Sequence, residues 1–180
     1  MGCDIHMIVQ TRANAESPWE TRPDLPTGRY DDREGRRIDD RNYTLFSVLA
    51  NVRNKGNVPP IDEPRGLPED LLVSERFIDR FLGDHSFSWV TFDEVLAYDW
   101  DRPFLESGIV TEAQAAHYRL TGQAPTEWCQ GTTRQDAVRI EWPRTPRVAT
   151  RDWVGGFATQ LTDYGDVAPS DVRLVFGFDS

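Results

Sequence analysis

The chain has 180 residues, of which 20 are Lys or Arg and 30 are Asp or Glu, so its formal net charge is −10. This length is typical of one domain with one core, and six Trp, nine Phe and five Tyr are too many for a disordered chain. Two cysteines exclude a disulfide scaffold, and no apolar run approaches the roughly 20 residues that cross a bilayer. The acidic charge disfavours non-specific binding to nucleic acid. Because the N-terminus is charged where a signal peptide is apolar, we expect a cytoplasmic protein without membrane contact.

The two ends of the chain show the clearest strand patterns. Residues 3–10 alternate, with Cys3, Ile5, Met7 and Val9 on one face, and residues 172–179 alternate in the same way. Both segments are too apolar to be exposed, so we expect them to lie side by side in one sheet. Two further strands are predicted at residues 87–90 and 137–142.

Five segments between the strands have the 3.6-residue period of an amphipathic helix. Residues with N-cap character precede four of them. The predicted helical segments are 45–52 after Asn42, 77–82 between Ser74 and Gly83, 92–96 after Thr91, 113–120 between Thr111 and Gly122, and 153–161 before Gly165.

These elements predict a single α+β domain over residues 1–180. We expect about five helices and a small mixed or antiparallel sheet in which the N- and C-terminal strands are adjacent. Residues 11–40 and 55–70 hold few apolar side chains and are predicted to be long loops. Loops of this length in compact domains often bind ligands or cover sites.

Asp4 and His6 form the sharpest local feature. Strand alternation places both on one face, with their Cα atoms roughly 6–7 Å apart. A carboxylate and an imidazole at this spacing can bind a divalent metal ion, or act as a base and its orienting partner. The alternative is a simple hydrogen bond on a half-solvated sheet face. If the C-terminal strand pairs with this one, Asp179 could join the same cluster.

A second feature places His85, Ser86, Ser88 and Trp89 in a turn and the short strand that follows it. Short polar side chains beside an aromatic ring suit a small planar ligand. The alternative is a turn histidine, solvent-facing serines and a tryptophan in the core. No one-line metal, phosphate-loop or dinucleotide motif occurs in the chain.

A third set of candidate residues, which are polar or cationic, lies at the two ends of the first predicted helix. Arg41, Asn42 and Tyr43 stand at its start, where free backbone N–H groups and the helix dipole attract anions. Arg53 and Asn54 stand at its end, where a cation also complements the helix dipole without any ligand. The arginines therefore predict an anion clamp or, alternatively, ordinary helix-end charges.

The remaining histidine and the two cysteines are not assigned to a functional site. His117 falls on the stripe of the fourth predicted helix, so we expect it in the core or at its boundary. Cys3 lies among alternating apolar residues and is expected to be buried and unreactive. Cys129 lacks a neighbouring base that could activate it.

Taken together, these stretches resemble a family of small bacteriophage-encoded proteins with no assigned activity. The resemblance covers the chain from end to end, although only about a quarter of its residues. It implies an accessory protein made in the cytoplasm of an infected cell, where antagonists of host defence are common. In that family a second histidine often stands where this chain has Phe87. The stretches that carry the resemblance are Met1-Gly2-Cys3-Asp4-Ile5-His6, Arg41-Asn42-Tyr43, Leu45-Phe46, Leu49-Ala50, Val52-Arg53-Asn54, Gly66-Leu67-Pro68, His85-Ser86-x-Ser88-Trp89 and Val175-Phe176-x-Phe178-Asp179.

Three functions are compatible with this sequence, and each leaves a homo-oligomer possible. The first is binding, with or without cleavage, of a small anionic, nucleotide-like ligand connected with host-defence signalling. The second is inhibition of a host protein through the acidic surface. The third is metal-dependent hydrolysis, with Asp4, His6 and His85 as ligands of a divalent metal and the two histidines as catalytic groups. In the first hypothesis, Asp4, His6, His85 and Asp179 form the polar floor, Arg41 and Arg53 the anion clamp, and Trp89 the stacking surface.

Overall fold

The computed structural model describes residues 2–22, 41–75, 78, 82–131, 136–163 and 167–179. Within these residues the chain forms five α-helices and six strands in two antiparallel sheets, an α+β fold as predicted. The strands are β1 (Asp4–Thr11), β2 (Glu20–Thr21), β3 (His85–Thr91), β4 (Phe104–Thr111), β5 (Ala137–Arg144) and β6 (Val172–Asp179). The helices are α1 (Tyr43–Ala50), α2 (Phe92–Ala97), α3 (Glu112–Thr121), α4 (Pro146–Ala149) and α5 (Trp153–Asp163), and a 3₁₀ turn spans Pro169–Asp171.

The larger sheet has the strand order β2-β1-β6-β3. β1 and β6 pair along their full length, with Asp4 opposite Asp179 and Thr11 opposite Val172. The predicted adjacency of the terminal strands is therefore confirmed. Both strands are almost entirely buried because apolar side chains cover the two faces of this sheet.

One face of the larger sheet carries the main core. The apolar face of β1 that alternation predicted, together with alternate residues of β6, packs against α1 and α5. Cys3 belongs to this core at 1% exposure, as expected. A smaller apolar cluster of Ile8, Leu82 and Val175 lies on the opposite face. The sheet is therefore the central layer, and its two faces carry different chemistry.

The smaller sheet consists of β4 and β5, paired from Phe104–Arg144 to Thr111–Ala137. The sequence predicts β5 but misses β4. Glu106, Ser107 and Gly108 interrupt the apolar alternation in the middle of that strand, so its period-2 pattern is hidden. This two-stranded sheet lies beside α1, where it contributes to the pocket described below.

The predicted helix starts at Asn42, Thr91 and Thr111 are confirmed. The Asn42 Oδ1 accepts the Leu45 N–H at 3.0 Å, and both threonines form capping boxes. The expectation of a core or boundary position for His117 is wrong, because His117 is exposed. The main strand contacts of α3 are with the two-stranded sheet, and within the helix only Ala115 is buried.

Some predicted elements fall on residues that are not described. Phe77 and Phe81 of the second predicted helix lie outside the described residues, as do Gly165 and residues 23–40 of the first predicted loop. Residues 55–70 contain neither helix nor strand. Among the described helices, none has the length and apolar character needed to span a bilayer.

Candidate functional site

A pocket of about 240 Å³ lies between α1 and the two-stranded β4–β5 sheet. The start of α1, the loop that follows it, β4, β5, the segment before β5 and α4 all contribute residues. It is lined by Arg41, Asn42, Tyr43, Thr44, Ser47, Arg53, Lys55, Gly56, Val58, Phe104, Glu106, Trp128, Gln130, Arg144 and Ala149. Four of these side chains are cationic, namely Arg41, Arg53, Lys55 and Arg144, whereas Glu106 is the one acidic residue among the described lining. We call this the cationic pocket.

The N-terminus of α1 forms one wall of the cationic pocket. The Asn42 side chain caps the helix and donates from Nδ2 to the Ala149 carbonyl at 2.8 Å, which ties α1 to α4. The Tyr43 hydroxyl accepts the Cys3 N–H at 3.3 Å, which ties α1 to β1. Arg41, Asn42 and Tyr43, which the sequence predicts as an anion site, are thus held at the pocket wall.

The loop after α1 brings two further cations to the same wall. Asn51 and Arg53 both have left-handed backbone conformations, with φ of 56° and 53°, so the chain turns sharply behind the helix. Asn54 stabilises this turn, because its side chain bonds to Asn51 and to the backbone of Val58. Asn54 itself does not line the pocket. It is a loop-forming residue in this structure, whereas Arg53 faces the cavity.

The four cations of the pocket differ in how far they are neutralised. Arg41 makes two hydrogen bonds to the Asp4 carboxylate, at 2.6 and 2.8 Å. These bonds are the main reason why the pKa of Asp4 lies below its ordinary value. Arg144 approaches Glu106 at 3.5 Å. Within the described part of the chain, neither Arg53 nor Lys55 forms an ion pair with a carboxylate, and both are exposed.

Glu106 is an unusual residue for this position. Its side chain is only 14% exposed. Burial raises the pKa of Glu106 above its ordinary value, although the charge of Arg144 and the Ser107 backbone hydrogen bond act in the opposite direction. The carboxylate is therefore held in the pocket at an energetic cost.

Two aromatic side chains give the pocket apolar walls. Trp128 packs directly over Gly108 of β4, where an added Cβ would lie 2.5 Å from the indole Cε3. The indole also meets Trp142 edge to face, with ring centroids 5.5 Å apart. Phe104 covers Gly56 in a similar way. A ligand with an anionic group and a flat apolar part matches the combination of cations and aromatic rings.

The β1–β6 register, which the sequence did not determine, places Asp179 opposite Asp4. These two residues and His6 lie together beside the pocket. His6 Nε2 lies 2.7 Å from Asp179 Oδ2, and the Asp4 backbone N–H donates to Asp179 Oδ1 at 3.1 Å. Asp4 in turn holds Arg41, so the cluster connects to the cationic pocket through that ion pair. None of the three residues lines the cavity itself.

His85 and its neighbours lie elsewhere. His85 is opposite Phe178 in the β3–β6 register and stacks on its ring at 6.1 Å. Because Phe178 belongs to the main core, His85 is on that face of the sheet. His6 is opposite Gly177 and therefore points to the other face. The structure does not bring the two histidines to one pocket.

The remaining residues of this segment have structural partners. Ser86 bonds to His85 through its hydroxyl, which lies 3.0 Å from Nδ1. Ser88 is fully buried and accepts the Arg65 N–H. The Arg65 guanidinium lies over the Trp89 ring, 5.0 Å from its centroid. Among the described residues, no three side chains of His, Cys, Asp or Glu are grouped so that they could hold a metal ion.

Sequence patterns do not predict the side of the cationic pocket that β4, β5 and the segment before β5 form. No local motif marks Glu106, Trp128, Gln130 or Arg144, and these residues approach α1 only when the β4–β5 sheet packs beside it. The available signal in the sequence was the pair Glu106 and Gly108, which lie two positions apart and interrupt the apolar alternation of their segment. Comparison of the chain with protein-family models, curated protein sequences and solved structures found no match in any of the three.

Proposed function

We propose that the cationic pocket binds a small anionic ligand. The observation that carries this proposal is the concentration of four cationic side chains around one cavity in a chain of net charge −10. Arg53 and Lys55 matter most, because neither is neutralised by a described carboxylate. A fixed positive field in a partly enclosed cavity attracts an anion even when the whole protein is acidic.

The size of the pocket limits the ligand class. Its volume of about 240 Å³ is slightly below the roughly 300–1,000 Å³ of typical ligand cavities, and one side is open to solvent. We therefore propose a ligand with a single anionic group and one ring system, such as a nucleoside monophosphate or a cyclic mononucleotide. Trp128 and Phe104 provide the surface that a ring would cover.

The resemblance to small bacteriophage proteins adds a cellular context to this proposal. We propose that the ligand is a nucleotide-like molecule of the infected host cell, and that the protein lowers its free concentration. The pocket chemistry supports the binding step, and the resemblance supports the context.

The test compares charged and uncharged forms of the same ligand. Isothermal titration calorimetry should detect binding of nucleoside monophosphates. Each parent nucleoside should bind at least about tenfold more weakly, because it lacks the anionic group. The double variant Arg53→Gln with Lys55→Gln should reduce nucleotide affinity by about tenfold or more. Affinity should also fall with added NaCl.

Arg102→Gln is the matched control, because Arg102 is exposed and does not line the cationic pocket. It should bind like the wild type. Equal affinity for nucleotides and nucleosides, or unchanged binding by the double variant, would overturn the proposal. Chromatography of cyclic mononucleotides after incubation with the protein would distinguish binding from cleavage.

A further inference from the structure

A carboxylate such as Glu106 is unexpected in a pocket that is proposed to bind an anion. It is the one carboxylate among the described lining residues, and it repels the same group that Arg53 and Lys55 attract. A carboxylate kept in this position needs a reason other than anion binding.

Protein stability does not supply that reason. The ion pair with Arg144 is long, at 3.5 Å, and burial disfavours the charged form of Glu106. A largely buried carboxylate with one weak cationic partner is costly. A carboxylate also has about four acceptor positions, so its contacts with Arg144 and the Ser107 backbone leave room for further donors.

The neighbouring aromatic residue shows where such donors would come from. Glu106 and Gly108 are two positions apart on β4, so they share one face with their Cα atoms roughly 6–7 Å apart. Trp128 packs over Gly108. The indole and the carboxylate therefore lie side by side on the lining of the pocket. A flat ring that stacks on Trp128 would present its edge to Glu106.

We propose that the cationic pocket selects a guanine nucleotide, with Glu106 accepting hydrogen bonds from the base. This inference rests on the proposed function, because it assigns the base of the same ligand. Guanine carries two adjacent donors, N1–H and one N–H of the N2 amino group, which match the two oxygens of one carboxylate. The phosphate would then lie toward Arg53 and Lys55.

Other bases fit this arrangement less well. Adenine presents one donor, the N6 amino group, next to the N1 acceptor, and that acceptor would face the carboxylate. Uracil and thymine place an acceptor on each side of their single N–H. Hypoxanthine, the base of inosine monophosphate, keeps the N1–H but lacks the amino group. Inosine monophosphate is therefore the most informative competitor.

The experiment is isothermal titration calorimetry of the wild-type protein, which compares its affinities for guanosine, inosine and adenosine monophosphates at one salt concentration. Guanosine monophosphate should bind at least about tenfold more tightly than adenosine monophosphate, as expected for a bidentate carboxylate contact. Inosine monophosphate should lie between them. Glu106→Gln should reduce the guanosine preference to within about twofold, since an amide replaces one acceptor by a donor.

Glu141→Gln serves as the control, because Glu141 is an exposed carboxylate in the same two-stranded sheet. It should keep the full guanosine preference. Equal binding of guanosine and adenosine monophosphates by the wild type, or an undiminished preference in Glu106→Gln, would overturn this inference and leave the anion site intact. Absence of binding by any monophosphate or by inorganic phosphate would overturn both proposals.

Discussion

Two arginines of this protein, Arg65 and Arg53, have opposite environments. Arg65 bonds to both oxygens of the Glu94 carboxylate, at 2.6 and 3.0 Å, and to Asp62 at 2.8 Å. It also donates to the Trp89 carbonyl and covers that residue's ring. Arg53 lines a cavity and forms no ion pair with a described carboxylate.

Arg65 is paired with carboxylates within the fold, whereas the proposed function assigns Arg53 to a ligand. Arg65 joins residues 55–70 to β3 and α2, so its interactions are already made in the folded chain. In the proposed function, Arg53 and Lys55 instead attract the anionic group of a molecule that enters the pocket. Variants of the first group should therefore change stability, and variants of the second group should change binding.

Arg65→Ala should have the largest effect on stability. We expect the free energy of unfolding to fall by about 3 kcal/mol, the low end for a buried ion pair, because Glu94 remains partly exposed. Urea denaturation would measure this change. Arg102→Ala, at an exposed site, should change stability by less than about 0.5 kcal/mol. A similar loss in both variants would contradict the structural role of Arg65.

The Arg65→Ala effect should depend on pH in a defined direction. The Arg65 hydrogen bonds are the main reason why the pKa of Glu94 falls from 4.5 to about 2, and hydrogen bonds from Thr91 lower it further. The stabilisation is therefore fully present above about pH 4.5 and is lost progressively as the pH falls toward 2. The difference between wild type and variant should shrink over that range. A difference that grows on acidification would contradict the assignment.

Gly108→Ala tests the aromatic wall of the cationic pocket. An added Cβ would lie 2.5 Å from Trp128 Cε3 and 2.9 Å from Trp142 Cη2, so one of the rings must move. We expect a loss of about 2 kcal/mol in the free energy of unfolding and weaker nucleotide binding. Gly131→Ala is the control, since nothing lies within 4 Å of its added Cβ. Equal stability of the two variants would show that Trp128 does not pack on β4 as described.

Glu106→Gln should stabilise the protein at neutral pH, on the order of 0.5 kcal/mol. Burial raises the pKa of Glu106 in the folded chain, so folding favours the protonated form. The carboxylate then reduces stability as the pH rises through that raised pKa, and the reduction is absent below about pH 4.5. Thermal unfolding at pH 7 and pH 4 would measure the difference. A less stable variant at pH 7 would assign Glu106 a structural role instead.

The smallest stability effect should come from the double variant Arg53→Gln with Lys55→Gln. Because neither side chain pairs with a described carboxylate, the free energy of unfolding should change by less than about 0.5 kcal/mol. The same variant is expected to lose nucleotide affinity, so the two measurements together separate binding from folding. A large loss of stability would place Arg53 with Arg65 among the structural arginines.

The sequence alone determined the elements that carry strong local signals. Alternation in β1 and β6 predicted two buried strands, and the capping residues Thr91 and Thr111 predicted the starts of α2 and α3. These predictions hold because backbone capping and side-chain alternation depend on residues a few positions apart. The same local reasoning placed Arg41, Asn42 and Tyr43 at a helix N-terminus, where the structure has them.

Only the tertiary structure decided which polar residues meet. The pairing of β1 with β6 joined His6 to Asp179, and the β3–β6 register placed His85 on the opposite face. Packing of the β4–β5 sheet beside α1 brought Glu106 and Trp128 to the pocket of Arg53. Side chains separated by 50 or more positions share a site only after strand register and packing are set. Those depend on burial over the whole chain rather than on any local pattern.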